Sequence, residues 1–165
     1  KEFKHFKTWP ICKYSGKLGP KLKEGDGQAP EGFYFVPRSR MNPRSRFHLS
    51  FNIGYPNTYD RAHKRTGSAL MVHGNCVSIG CYAMTDAGIE EIYSLCDAAL
   101  MNGQRFFRVH AFPFRMTEAN IKRHTTSKWN AEWQNLKRGY DWFEKAKRSP
   151  NVNVDGKRYS FSKAD

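Results

Sequence analysis

No apolar run in this chain approaches the roughly 18 residues that a membrane helix needs, so nothing in it is expected to span a bilayer. None of its four cysteines forms a C-x-x-C pair. That removes the paired knuckles of an ordinary structural zinc site. There is no internal repeat and no arginine-rich arm. Acidic residues are scarce, with 15 Asp+Glu against 28 Lys+Arg, a net charge of +13 and a pI near 9.8. Such a field favours polyanionic surroundings: nucleic acid, anionic lipid or an acidic wall polymer. The basic residues are spread from Lys1–Lys23 through Arg38–Arg46 to Arg138–Arg148 rather than gathered on one element, and no nucleic-acid partner is expected. The chain begins at Lys1 without methionine or an apolar leader. It reads as a trimmed or mature fragment whose export signal lies out of view.

What is present is enough for one folded domain, residues 1–165. Hydrophobic residues make up 39% and aromatics 15% of the 165, ample for a sizeable core. Phe3, Phe6, Trp9 and Ile11 are strand-like patches between lysines. Their abrupt start leads us to expect that one or more strands of the sheet precede Lys1. Residues 15–32 hold five glycines and two prolines and must be loop. Its length marks it as functional or mobile. A short aromatic strand runs from Gly32 to Val36 and stops at Pro37. Phe47, Leu49, Phe51 and Ile53 alternate with His48, Ser50 and Asn52, a period of two with one buried face. Gly54–Asn57 turns that strand, and 58–68 reads as polar loop.

Residues 70–84 carry the chemistry. A short apolar strand delivers His73, a tight loop follows, and Cys81 stands before a helix that Thr85 or Asp86 can cap. That helix has Ile89, Ile92, Tyr93, Cys96, Ala99 and Leu100 at helical spacing and ends at Gly103. Residues 105–112 predict another strand, and Thr117 caps a short helix, 118–124. Trp129, Trp133, Leu136, Tyr140 and Phe143 form the core stripe of a long helix. Residues 152–161 predict a hairpin turning at Asp155-Gly156. The fold class is mixed β/α.

A cysteine attacks as thiolate, and an ordinary thiol holds little thiolate at neutral pH. His73 can take the proton, the helix after Cys81 points its positive end towards the loop, and Gly80 lets backbone N–H groups converge on a developing oxyanion. Ser78 can hydrogen-bond across the loop. The same residues leave other readings open: a buried structural cysteine, or a metal held by His73, Cys76 and Cys81. The spacing of Cys12, Cys76, Cys81 and Cys96 dictates no disulfide. With Cys81 free, one intramolecular bridge at most can form.

The segment His73-Gly74 followed by Ser78-Ile79-Gly80-Cys81 resembles the active-site signature of the L,D-transpeptidase (YkuD-domain) family. Cys-Tyr-Ala-Met after it resembles the YafK-like subgroup. So do Ser15-Gly-Lys-Leu-Gly-Pro-Lys, Glu24-Gly-Asp-Gly-Gln-Ala-Pro-Glu-Gly-Phe-Tyr, Phe51-Asn-Ile-Gly-Tyr-Pro-Asn and Trp133-Gln-Asn-Leu-Lys. The resemblance implies an L,D-transpeptidase-like sheet or β-sandwich with flanking helices. It implies Cys81 as nucleophile and His73 as base, with the Gly74 carbonyl orienting the imidazole and Gly80, Cys81 and Tyr82 at the oxyanion hole. It implies no cofactor and no metal. Two positions depart from the common motif: Ile79 stands where a second histidine is usual, and Ala83 where an arginine is usual. Arg61 or Arg46 is expected to fill the arginine's role, and Tyr55, Asn57, Tyr59 and Arg61 are candidates for gripping substrate.

The implied substrate is a peptidoglycan stem peptide, cut at the carbonyl on the L-centre of meso-diaminopimelate in the periplasm. YafK-like relatives are associated with hydrolysis that releases a lysine-linked outer-membrane lipoprotein from the wall. The alternatives are crosslinking or attachment of protein to the wall, and a non-catalytic basic domain that binds wall or nucleic acid.

Overall fold

The computed structural model describes residues 2–163, and they divide into two units. The larger, Thr8–Ala111, holds every residue singled out between His73 and Cys81. It starts with an ordered loop. From Thr8 to Glu31 there is neither helix nor strand, only an isolated bridge between Lys13 and Ala83. The expected strand patches at Phe3 and Phe6 are instead exposed chain assigned to no strand, with Phe3 donating its N–H to Lys147 O at 2.7 Å.

β1 (Gly32–Pro37) buries Phe33, Tyr34 and Val36. A single 3₁₀ turn leads into β2 (Met41–Ser45) and then β3 (His48–Asn52). β2 was not expected, because Met-Asn-Pro-Arg-Ser has no alternation and contains proline. It is an edge strand, where a proline costs no ladder bond on its outer side. α1 (Thr58–Ala62) corrects the polar-loop reading of 58–68. Asn57 and Asp60 form a reciprocal capping box, a signal that was legible in Asn-x-x-Asp. β4 (Met71–His73) and the two-residue β5 (Tyr82–Ala83) follow, then α2 (Asp86–Met101), capped by Thr85, and β6 (Phe106–Ala111).

β1 and β6 pair antiparallel, with Tyr34 opposite Val109. β2, β3, β4 and β5 make a second sheet in that order, antiparallel except for the parallel β4–β5 pair. Phe51 of one sheet meets Phe107 of the other edge to face, with ring centroids 5.1 Å apart. Tyr34, Val36, Phe51, Ile53, Leu70, Val72, Met84 and Ile89 fill the space between the sheets and α2. Truncating any of the large members to Ala is expected to cost about 2–5 kcal/mol. This core anchors β4 and β5 through Val72 and Met84, so the loop between His73 and Cys81 hangs from two fixed ends.

The second unit, Lys1–Lys7 with Phe112–Asp165, is built of two helices and a hairpin among its described residues. Its helices are α3 (Glu118–Arg123), capped by Thr117, and α4 (Asn130–Ala146). Its strands β7 (Asn151–Asp155) and β8 (Arg158–Ser162) form the expected hairpin. Trp133 and Leu136 of the aromatic stripe are buried. Asn135 ties α4 to β8, its amide donating to the Tyr159 carbonyl at 2.9 Å and its oxygen accepting from the Tyr159 N–H at 2.8 Å.

Candidate active site

Register explains why His73 and Cys81 belong together. Val72 lies beside Tyr82 and His73 beside Ala83 in the parallel pair. Side chains alternate along a strand, so Val72 and Tyr82 share one face while His73 and Ala83 share the other. His73 ends β4 and Cys81 stands immediately before β5, so two residues eight apart in sequence are carried by paired strands. The core holds the opposite side through Val72.

His73 is 2% exposed, and its Nδ1 lies 2.6 Å from the Gly74 carbonyl oxygen. A carbonyl oxygen can only accept, so Nδ1 donates. In the neutral ring this bond puts the proton on Nδ1 and the lone pair on Nε2, the tautomer a general base requires. The Phe47 ring covers the imidazole, with centroids 4.7 Å apart and planes inclined by 38°. Gly74 donates its N–H to Phe47 O at 3.0 Å. A β-carbon at 74 would meet Asp86 Oδ1 at 2.7 Å and the Phe47 carbonyl at 3.0 Å, so only glycine fits this crossing. Phe47 sits at the tip of the β2–β3 hairpin, and nothing in its local sequence announced that position.

The loop beyond Gly74 is held at each bend. Asn75 and Cys76 are left-handed, with φ of 63° and 45°. Asn75 donates its N–H to Asp86 Oδ1 at 2.7 Å, in the first turn of α2. Cys76 is joined to Cys12 by a disulfide and donates its N–H to Met84 O at 3.2 Å. Oxidation takes Cys76 out of the His73–Cys76–Cys81 set weighed for zinc. Among the described residues, no cluster of three or more His, Cys, Asp or Glu side chains is arranged to hold a metal ion. Ser78 Oγ donates to Cys81 O at 2.6 Å and accepts from Gly80 N at 3.1 Å, closing the loop just ahead of the thiol. Gly80 has φ +139° and lies against Gln28 and Leu70, which leaves no room for a side chain without strain. Ile79 is 89% exposed at the loop's outer surface, where the common motif carries histidine.

Cys81 is half-buried. Its Sγ accepts the Met71 N–H at 3.4 Å and donates to Ala69 O at 3.7 Å. Burial pushes the thiol's pKa up, against the Met71 N–H and the Lys21 cation, which pull it down. The resting group is therefore the thiol, and attack requires its proton to leave as the new bond forms. Tyr82 donates its hydroxyl to Pro30 O at 2.5 Å, pinning the start of β5 to the 15–32 loop.

The four residues expected to grip substrate stand apart from one another in role. Tyr55 is buried and donates to the carbonyls of Lys21 and Thr66 at 3.2 and 3.3 Å. Asn57 caps α1 and donates its amide to Phe33 O at 2.9 Å. Tyr59 is buried, with its ring 4.4 Å from that of His63. Only Arg61 is exposed, and its guanidinium holds Pro56 O and Thr58 Oγ1. The first three are accounted for by the fold of the turn. Arg46, the other candidate for the missing arginine, lies in the hairpin tip beside Phe47.

Residues 4–110 match the L,D-transpeptidase catalytic domain, YkuD. Over 156 residues, 94% of this chain, the sequence is 53% identical to YafK of Escherichia coli K12, whose name assigns it provisionally to the L,D-transpeptidases. The same protein from Escherichia coli O157:H7 matches equally. The chain spans 63% of the length of these curated relatives. Among solved structures, the helical cell shape determining protein Pgp2 from Campylobacter jejuni aligns over 87% of this chain and 62% of its own, with a TM-score of 0.45 and 18% identity. Its K307A mutant aligns over 86% and 60%, with the same score and identity. This chain belongs to the L,D-transpeptidase family.

Proposed function

From that family membership, we propose that the chain is a periplasmic cysteine acyl-enzyme acting on peptidoglycan stem peptides at the L-centre carbonyl of meso-diaminopimelate. We propose further that it hydrolyses the diaminopimelate–lysine link that attaches an outer-membrane lipoprotein to the wall. The observation that carries the catalytic reading is that Cys81 precedes the strand paired with β4, its Sγ on Met71 N, while His73 of β4 has Nδ1–H committed to Gly74 O. That bond leaves Nε2 as the one basic ring nitrogen. The disulfide between Cys12 and Cys76 suits an oxidising compartment such as the periplasm.

In the reaction we propose, Cys81 sulfur adds to the diaminopimelate carbonyl carbon as its proton passes to His73 Nε2. The tetrahedral oxyanion faces the backbone N–H groups of Cys81 and Tyr82, beside the Gly80 N–H that Ser78 Oγ holds in the resting loop. Collapse breaks the C–N bond, and the departing amine takes the proton from His73, leaving a thioester on Cys81. Water then attacks the thioester, His73 accepts its proton and returns one to sulfur, and the diaminopimelate carboxylate leaves. Throughout, the Gly74 carbonyl keeps the imidazole oriented and the Asp86 and Ser78 bonds hold the loop. Transfer to an amine instead of water would give a crosslink or a protein attachment. Ile79 and Ala83, in place of the usual histidine and arginine, set this chain apart from the common crosslinking motif and support the hydrolytic reading.

The test is mass spectrometry of digested sacculi that carry bound lipoprotein, treated with the wild-type chain or Cys81→Ala. Hydrolysis predicts lipoprotein freed with its lysine amine and tripeptide left on the wall. New crosslinks without release would overturn the hydrolytic reading. Full turnover by Cys81→Ala would overturn the acyl-enzyme itself. His73→Gln is expected to slow turnover by roughly 10²–10⁴-fold, the span usual for losing a general acid–base.

A further inference from the structure

A lysine inside a loop is costly unless its charge is matched, and Lys21 is only 4% exposed. The loop is built around it. Asp26 Oδ1 accepts Lys21 Nζ at 2.6 Å and Gln28 N at 3.1 Å, while Oδ2 accepts Leu22 N at 2.8 Å and Lys23 N at 3.0 Å. One carboxylate thus accepts from four donors, the Lys21 ammonium and three backbone N–H groups. Tyr55 donates to the Lys21 carbonyl, and the lysine stem lies against Gly67, where a β-carbon would come within 3.0 Å of Lys21 Cε.

The chain leaving Gly67 is the one that seats the nucleophile, through Ala69 O and Met71 N on Cys81 Sγ. The same lysine-bearing loop touches the nucleophile loop twice more. Pro30 O accepts from Tyr82, and Gln28 O lies 3.3 Å from the position of a β-carbon on Gly80. The buried cation and the thiol are therefore built onto the same short stretch of backbone.

We propose that Lys21 is a positioning residue for Cys81: a buried cation, restrained by Asp26, whose field steadies the negative charge that gathers on the sulfur as its proton leaves. The proposal rests on the reading of Cys81 as the nucleophile. Burial disfavours the Cys81 thiolate, and of the two groups that oppose burial, the Met71 N–H and Lys21, only the lysine carries a charge. Other ionisable groups act on this region: Asp60, Arg65, Asp26 and Glu24 on Tyr55, and Glu31 on Tyr82. The Tyr55 and Tyr82 phenols, pushed up first of all by burial, stay neutral across the working range.

The experiment is the rate of Cys81 alkylation by iodoacetamide against pH, followed by mass of the Cys81 peptide so that Cys96 is counted separately. Lys21→Met is expected to raise the midpoint by about one pH unit, making alkylation near pH 7 roughly tenfold slower. Lys21→Arg keeps the midpoint near wild type. Asp26→Asn, which unmasks the ammonium, moves it down. Both neutral substitutions loosen the same loop, so structural damage alone would shift them in one direction; only a field effect separates them. Same-direction shifts, or an unchanged midpoint in a Lys21→Met protein with wild-type melting, would overturn the proposal. If Lys21→Met does not fold, Asp26→Asn decides, and the absence of a downward shift overturns it. The assay needs no peptidoglycan, so a protein inert on sacculi that still shows these shifts would refute the substrate reading and leave this one standing.

Discussion

Breaking the Cys12–Cys76 bond is expected to weaken the Thr8–Ala111 unit by several kcal/mol and to disturb the loop that carries the candidate site. The two half-cystines are 64 positions apart. Freeing a denatured chain from a closed loop of that length restores entropy worth about 4 kcal/mol at 25 °C. The native side changes less. Cys12 and Lys13 still donate to Ala83 O at 2.8 and 3.1 Å, and Ala83 N still donates to Lys13 O at 2.9 Å. These bonds are modest, about 1 kcal/mol each, but they keep the first strand-like residues on β5 once the covalent tie is gone. A Cys12→Ser/Cys76→Ser double variant is therefore expected to lose about 2–4 kcal/mol in guanidinium denaturation. The slope m is fitted separately, because the uncrosslinked denatured chain exposes more surface. Dithiothreitol should produce the same loss in the wild type and none in the double variant, with thiols counted by mass. Cys76 lies midway between His73 and Cys81, so Cys81 alkylation should respond in the same samples. A double variant as stable as wild type, or one that stays sensitive to reductant, refutes the reasoning.

Arg65 and Asp60 form a buried pair, Nη1 to Oδ1 at 3.0 Å, with both side chains almost wholly enclosed. Arg65→Met leaves the Asp60 carboxylate without that cation and is expected to cost about 3–5 kcal/mol in denaturant unfolding; a loss under about 1 kcal/mol would contradict it. His110, pushed from 6.5 down to about 4 by burial and then by the Arg108 cation, binds a proton less readily folded than unfolded. Its contribution to stability is complete above about pH 6.5 and drains away as pH falls towards 4, so His110→Gln should flatten the thermal midpoint across that window. Ser50 Oγ is buried without a hydrogen-bond partner among the described residues. Ser50→Ala is expected to leave stability unchanged or raise it by up to about 1 kcal/mol, and a loss above that would show that the hydroxyl is satisfied after all.

Most of what matters at the site was legible because it is local. Thr85, Thr117 and the apolar positions of α2 and α4 fall at spacings that only a helix satisfies, and each helix formed where those spacings placed it. The alternation from Phe47 to Ile53 marked β3, and the His-Gly and Ser-x-Gly-Cys motif marked the loop that joins the two sheet strands. β2 and β5 were missed because their residues carry no strand signal of their own. They are extended because a neighbouring edge supplies their hydrogen bonds.

Sequence alone determined the family, the fold class and the pair of residues that chemistry would single out. Tertiary structure decided three things that no spacing encodes. It chose Cys12 as the partner of Cys76 from four cysteines. It gave Tyr55, Asn57 and Tyr59 their burial, cap and hydrogen bonds within the turn. It placed Phe47 on His73 and the Lys21 loop against the Cys81 loop. Each of these joins residues brought close only by strand register and core packing. A linear pattern carries the period of one element, while a contact between distant segments exists only once the chain has folded.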